Sequence, residues 1–179
     1  LTRSEATRRA AISTLGLDPD CVVHVSSAVD ERFNDFAPTE EHISRILGRY
    51  GISRSYVLSH GSLKQDKNVE GLLGAYALLP DQLRKARQLC ILQPNADGRR
   101  ASFQPVLAKF GLRADEVVFA GFMPVEDRAA LYKACELFVL PSLREDFALP
   151  ALEAMTCGAP VIGSNCSSIP EVLGMEDAL

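Results

Sequence analysis

Between residues 55 and 163 the chain holds five short apolar runs, each followed by a segment of a different character. The runs are Ser55–Ser59, Leu89–Gln93, Val117–Ala120, Leu137–Leu140 and Pro160–Gly163. They are continuous rather than alternating, the pattern of strands covered on both faces. Helical spacing is read over Lys67–Leu79, Ala101–Phe110, Val125–Ala134 and Pro150–Thr156, with a core-facing stripe of Leu149, Leu152 and Met155 on the last. Strands separated by helices need right-handed crossovers, hence an α/β fold with an open parallel sheet. Such a sheet offers its ligand site outside the carboxyl ends of its strands.

The N-terminal part is less regular. Ser4 to Leu15 reads as a helix ended by Gly16, Cys21 to Ser26 as a short strand, and residues 28–37 as a linker or loop. Thr39 caps a helix running to Tyr50, and Gly51 stops it. Near the end, Ser168-Ile169-Pro170-Glu171 fits a capping box. The chain stops soon afterwards at Glu176-Asp177-Ala178-Leu179, which reads as a cut through a longer protein.

Composition excludes several classes. A net charge of -4 gives no footprint for nucleic acid. No apolar run approaches the roughly 20 residues a membrane helix needs. Thr2, Arg3, Ser4 and Glu5 do not open a secretory signal. The five cysteines lack any CxxC spacing and read as reduced, mostly buried thiols in a reducing compartment.

The chemistry-bearing residues fall in the loops after the apolar runs. Glu145 and Glu153 have seven residues between them, one in a loop past Leu137–Leu140 and the other inside the helix that Pro150 opens. Each acid has a plainer reading: Glu145 as an exposed loop acid, Glu153 as a helical acid paired with an Arg such as Arg144. The amides of Phe147, Ala148 and Leu149 precede that helix and suit a phosphate or sugar hydroxyls. The loop Gly61-Ser62-Leu63-Lys64-Gln65-Asp66-Lys67-Asn68 opens another helix. There Lys67 either joins nearby amides in holding an anion or is a solvated lysine behind an Asp66 cap, with Lys64 a second cation. Phe122 and Met123 either flank a flat base or make an ordinary turn. Gln93-Pro94-Asn95-Ala96, Asn165 to Ser168 and His60 share the same edge with weaker meaning, and His24 and His42 read as structural.

These residues closely resemble the large group 1 family of retaining glycosyltransferases, which have the two-domain GT-B fold. The resemblance is carried by Glu145 through Glu153 and by Ala154-Met155, Cys157-Gly158-Ala159-Pro160-Val161-Ile162, Ser164-Asn165, Ser167-Ser168 and Pro170-Glu171. Together they are similar to that family's paired-glutamate signature and its continuation. Gly61, Leu63, Lys67 and Asn68 resemble its Gly-rich turn ending in Lys-Asn, and Ala28-Val29-Asp30 with Phe33 its interdomain junction.

The resemblance implies a Rossmann-like sheet forming the C-terminal half of a GT-B fold. Residues 1–27 would be a remnant of the acceptor-binding domain, and 28–179 the nucleotide-sugar-binding domain, truncated at its end. It implies transfer of a hexose from a nucleoside-diphosphate sugar with retention, in polysaccharide or glycoconjugate assembly. No cofactor or bound metal is implied. The acceptor would be a sugar, lipid-linked or protein group, and the full-length protein would be cytoplasmic, at the inner face of the membrane. Lys67 would neutralise the diphosphate, Glu145 contact the transferred sugar, and Phe147, Ala148 and Leu149 offer amides. Glu153 would accept from the ribose, Phe122 and Met123 would border the base, and Gly61, Ser62 and Lys64 would complete the donor loop. Ser62 stands where many members have Arg, and Asp146 and Ala148 where Gly is common. Alternatives are a catalytically degenerate nucleotide-sugar-binding module and a GT-B nucleotide-sugar epimerase. The chain alone is expected to transfer nothing.

Overall fold

The structure, a computed structural model, describes residues 1–34, 36–93 and 103–174. Helices α1 (Glu5–Leu15), α2 (Glu31–Asn34) and α3 (Glu40–Tyr50) come first. Then follow β1 (Ser55–His60), α4 (Val69–Ala77), α5 (Asp81–Ala86), β2 (Arg87–Leu92), α6 (Gln104–Lys109) and β3 (Val117–Ala120). The chain continues through α7 (Val125–Ala134), β4 (Leu137–Leu140), α8 (Leu149–Thr156), β5 (Val161–Gly163) and α9 (Ile169–Leu173). The expected residues 94–96, the start of the 101–110 helix and residues 176–179 lie outside the described residues.

The strands pair in parallel in the order β3-β2-β1-β4-β5. The chain builds outward from β1 through β2 to β3, then returns to place β4 on the other side of β1. The loops leaving β1 and β4 therefore diverge to opposite faces and leave a crevice at the carboxyl rim.

Strands β1, β2 and β3 serve two cores, whereas β4 and β5 contribute to one. Cys90 and Leu92 of β2 join Tyr56, Leu58, Tyr132, Phe138 and Leu140 on one face. Leu89 and Ile91 join Val69, Leu73, Tyr76 and Leu107 on the other. This is why the runs are continuously apolar, and each such aliphatic side chain contributes about 1.5–3 kcal/mol by burial. The buried tyrosines keep their polar tips satisfied: Tyr56 donates to the Leu131 carbonyl at 2.7 Å and Tyr76 to that of Arg87 at 2.6 Å.

Several expectations are corrected. Cys21–Ser26 is not a strand: a 3-10 turn covers Pro19–Cys21, and the Thr2–His24 bridge is isolated. Val23 and Val25 face solvent, so no sheet face rewards further pairing there. The segment read as a loop over 28–37 contains α2, whose Phe33 is buried 6.1 Å from the Tyr132 ring. Four residues are too few for helical periodicity to register. The single helix expected over Lys67–Leu79 is a 3-10 turn (Gln65–Lys67), then α4, with α5 following Pro80. On α8 the buried positions are Ala151, Glu153 and Ala154, while Leu149 and Leu152 are half-buried and Met155 is exposed, so the core-facing side is not the expected apolar stripe. The capping box at Ser168 does not form, because both of its side chains are engaged elsewhere.

Candidate functional site

Gly61 begins the β1 loop. A Cβ there would lie 3.3 Å from the Lys67 Cβ and 3.2 Å from Val69 Cγ2, so the tight return of the chain favours glycine. The loop closes with Asn68 in the left-handed region at φ 51°, a conformation Asn tolerates. Asp66 therefore does not cap a helix, and Lys67 stands one turn ahead of α4 rather than inside it. The Asn68 side chain donates to the Pro141 carbonyl at 3.1 Å, and the Leu143 amide donates to the Asp66 carbonyl at 2.8 Å. Those two bonds stitch the β1 loop to the β4 loop across the crevice. The result is an ion pair, with Lys67 Nζ 2.7 Å from Glu145 Oε1.

The β4 loop is held by hydroxyl groups. The Glu145 carbonyl accepts from Ser167 and Ser168 at 2.6 and 2.9 Å. Ser4 Oγ and Thr7 Oγ1 of the α1 N-terminus lie 2.8 and 3.0 Å from the Asp146 carbonyl. Among the described residues, no hydrogen bond uses the amides of Phe147, Ala148 or Leu149. Ala148 is buried with φ 31° and ψ 38°. A side chain in that region costs about 1–2 kcal/mol, the physical reason glycine suits the position. Asp146 is exposed, its charge turned to solvent.

Glu153 is 5% exposed, with each carboxylate oxygen holding one partner. Its carboxylate accepts from Arg128 at 3.1 Å and from the Tyr132 hydroxyl at 3.0 Å. Its partner is thus Arg128, not Arg144. Burial raises the Glu153 carboxyl above its ordinary range, with Arg128 opposing. Burial likewise drives the Tyr132 hydroxyl well up, which keeps it a donor. Arg128 and Tyr132 are four residues apart on α7, a spacing that puts both on one face. That spacing is the signal by which sequence reading could have found Arg128.

Phe122 and Met123 border a small cleft of about 70 Å³, together with His60, Gln93, Gly121 and Arg128. Met123 is buried and Phe122 is 81% exposed, presenting an open aromatic face. His60 Nδ1, Gln93 Oε1 and Arg128 Nε are buried there with no hydrogen-bond partner among the described residues. A larger groove of about 450 Å³, around Leu47, Ile52, Arg54 and Tyr56, involves none of the expected residues. Lys64 is exposed, and Ser62 and Gly61 lie in the same turn as Lys67.

Burial, with Arg128 and Lys67 adding to it, pushes His60 down from 6.5 to about 4. The folded chain then holds a neutral imidazole where the unfolded chain takes a proton. Stability contributed in this way is complete above pH 6.5 and is lost as pH falls toward about 4. Between pH 7 and pH 5 the expected loss is about 2 kcal/mol. Urea unfolding of wild type and His60→Asn at the two pH values checks it. An equal loss in both proteins removes His60 from the account.

Cys90, Cys135 and Cys157 are buried thiols as expected, whereas Cys21 is exposed and Cys166 partly so. Among the described residues, no helix is long and apolar enough to cross a membrane.

A doubly wound parallel sheet whose switch-point loops bring together a cation, an acid and amides that are unbonded among the described residues defines an α/β domain of the open-sheet class. The chain belongs to the group 1 glycosyl transferases, whose family model matches residues 49–178. It is 36% identical over 176 residues to the serotype-specific mannosyltransferase WbdA of Escherichia coli, covering 98% of this chain and 22% of that one. It is 35% identical over 178 residues to the O-antigen chain mannosyltransferase B of the same organism, covering 97% and 45%. Its fold matches that of Anabaena HepE, solved in complex with UDP and glucose, with a TM-score of 0.77 at 24% identity, over 95% of this chain and 45% of that one. The chain thus spans less than half the length of these relatives.

Proposed function

We propose that this chain is the donor-binding domain of a retaining glycosyltransferase that moves a hexose from a nucleoside-diphosphate sugar onto a growing surface polysaccharide. The observation that carries the proposal is the meeting of Lys67 and Glu145 at the switch point, beside the unbonded amides of residues 147–149. The relatives' names favour mannose as the sugar and O-antigen as the product class. UDP, present in the HepE complex, and GDP are the nucleotides to try first.

In this reading Lys67 and the amides of Phe147, Ala148 and Leu149 hold the diphosphate. They stabilise the charge that gathers on it as the anomeric carbon–oxygen bond breaks. Glu145 accepts from a hydroxyl of the sugar. The acceptor hydroxyl attacks from the face the diphosphate leaves, and its proton passes to the departing phosphate oxygen, which preserves the anomeric configuration. Glu153 accepts from the ribose through the lone pairs that Arg128 and Tyr132 leave free. Phe122 and Met123 border the base. Gly61 shapes the donor turn, and Ser62 and Lys64 lie along it. No resident metal is invoked, because Lys67 and the amides supply the counter-charge.

Residues 1–27 belong in this scheme to the acceptor-binding half, so the isolated chain binds donor weakly and transfers nothing. The full-length enzyme works in the cytoplasm at the inner membrane face on a sugar or lipid-linked acceptor. A second reading, binding without turnover, draws on Ser62 standing at a position where an arginine grip is common in the resembled family.

A thermal-shift screen of UDP, GDP, ADP and their sugar conjugates against the full-length protein tests the proposal. One nucleotide pair should raise the melting temperature by several degrees, and its sugar conjugate should support transfer. Binding without transfer or hydrolysis supports the module reading. No shift with any of them sinks both.

A further inference from the structure

We infer that the N-terminus of α1 is a positioning element for the donor loop, acting through the hydroxyls of Ser4 and Thr7 on the Asp146–Phe147 peptide. The inference rests on the donor reading above and adds residues that lie some 140 positions away in the chain.

Helix α1 does not earn its place by packing. It buries no residue of its own, although an amphipathic surface helix normally covers part of the core. What is buried is its N-cap, Ser4, wholly enclosed against the Asp146 carbonyl. Thr7, one turn on, reaches the same oxygen. The helix is pinned to α9 as well, because the Glu171 carboxylate accepts from the Glu5 and Ala6 amides at 3.0 and 3.2 Å.

A trans peptide is planar, with its carbonyl and its amide hydrogen pointing opposite ways. Fixing the Asp146 oxygen with two hydroxyls therefore fixes the direction of the Phe147 amide hydrogen on the other side of the plane. Ser167 and Ser168 do the same for the preceding peptide through the Glu145 carbonyl. The loop's carbonyls are thus drawn toward α1 and α9, and its amides are left for the crevice. Preorganised donors of this kind cost no reorientation when an anion arrives.

The test uses calorimetric titration of full-length wild type, Thr7→Val, Thr7→Ser and Lys67→Ala with UDP and GDP. Hydrogen exchange is followed at the Phe147 amide and at the β2 amides. Thr7→Val should weaken the preferred nucleotide about 3–10-fold, the effect of one hydrogen bond. Thr7→Ser should stay within about twofold of wild type. Ligand protection of the Phe147 amide should fall in Thr7→Val while β2 protection holds, which separates positioning from loss of fold. Unchanged binding in Thr7→Val alongside a large loss in Lys67→Ala overturns the inference and leaves the donor reading standing. Equal loss of protection in β2 also overturns it, by making the contact merely structural. Absence of binding by the wild type overturns both.

Discussion

Glu145→Gln is expected to part nucleotide binding from sugar transfer. The carboxylate sits 2.7 Å from the Lys67 ammonium, and both groups are largely buried. A diphosphate entering the crevice must take Lys67 from Glu145. The exchange is offset only when a sugar hydroxyl donates to the acid thus released. Neutralising Glu145 removes the competitor, so UDP or GDP should bind at least as tightly as to wild type. It also removes a charged acceptor for the sugar, so transfer by the full-length enzyme should fall about 10–100-fold. Lys67→Ala should instead weaken nucleotide binding tenfold or more, because a charge-assisted bond contributes about 1.5–3 kcal/mol. Calorimetry and transfer assays on both variants decide the matter. If Glu145→Gln lost nucleotide affinity as Lys67→Ala does, the displaced-pair picture would be wrong. After transfer the same pair would re-form and help expel the spent diphosphate.

The second large effect is on stability. Glu153 is buried, and Arg128 is its one cationic partner among the described residues. Arg128→Ala leaves the carboxylate with the Tyr132 hydroxyl alone, and stranding one member of a buried pair costs about 3–5 kcal/mol. The Arg128 guanidinium also lies 5.3 Å from the centre of the Phe33 ring, so its loss loosens α2. Replacing both partners, as Arg128→Met with Glu153→Leu, should recover most of that loss, because no charge is then left buried. Urea midpoints of the single and double variants measure the difference. A cost below about 1 kcal/mol for Arg128→Ala would mean that Glu153 is not held as an ionised pair. The double variant should remain unable to bind nucleotide well, since it lacks the proposed ribose acceptor.

The sheet was legible because its first three strands are buried on both faces. Leu89, Cys90 and Ile91 are all apolar for one reason, that alternate residues enter different cores. Lys67 and Glu145 were legible through the resemblance, and their loops do meet. Arg128 was missed because a single arginine on a helix looks like a solvated residue until its neighbour Tyr132 is known to be buried. The capping box was misread because Ser168 and Glu171 have better partners in Glu145 and α1, and only distant segments supply those. Cys21 to Ser26 looked like a strand because a short run with three valines has the local composition of one, although it makes only an isolated bridge to Thr2 and leaves Val23 and Val25 in solvent.

Local patterns in the chain were thus enough for the strand–helix alternation, the parallel sheet and the rim on which the candidate site residues gather. Periodicity reports which face of an element is buried, and that suffices for an architecture of this type. Which side chains touch depends on contacts between residues far apart along the chain. Lys67 finds Glu145, Arg128 finds Glu153, and Ser4 finds Asp146 across separations of 78, 25 and 142 residues. Spacing can mark a helix face, as for Arg128 and Tyr132, but it does not say which distant residue that face meets, because each partnership arises only once the packed sheet brings its helices and loops together.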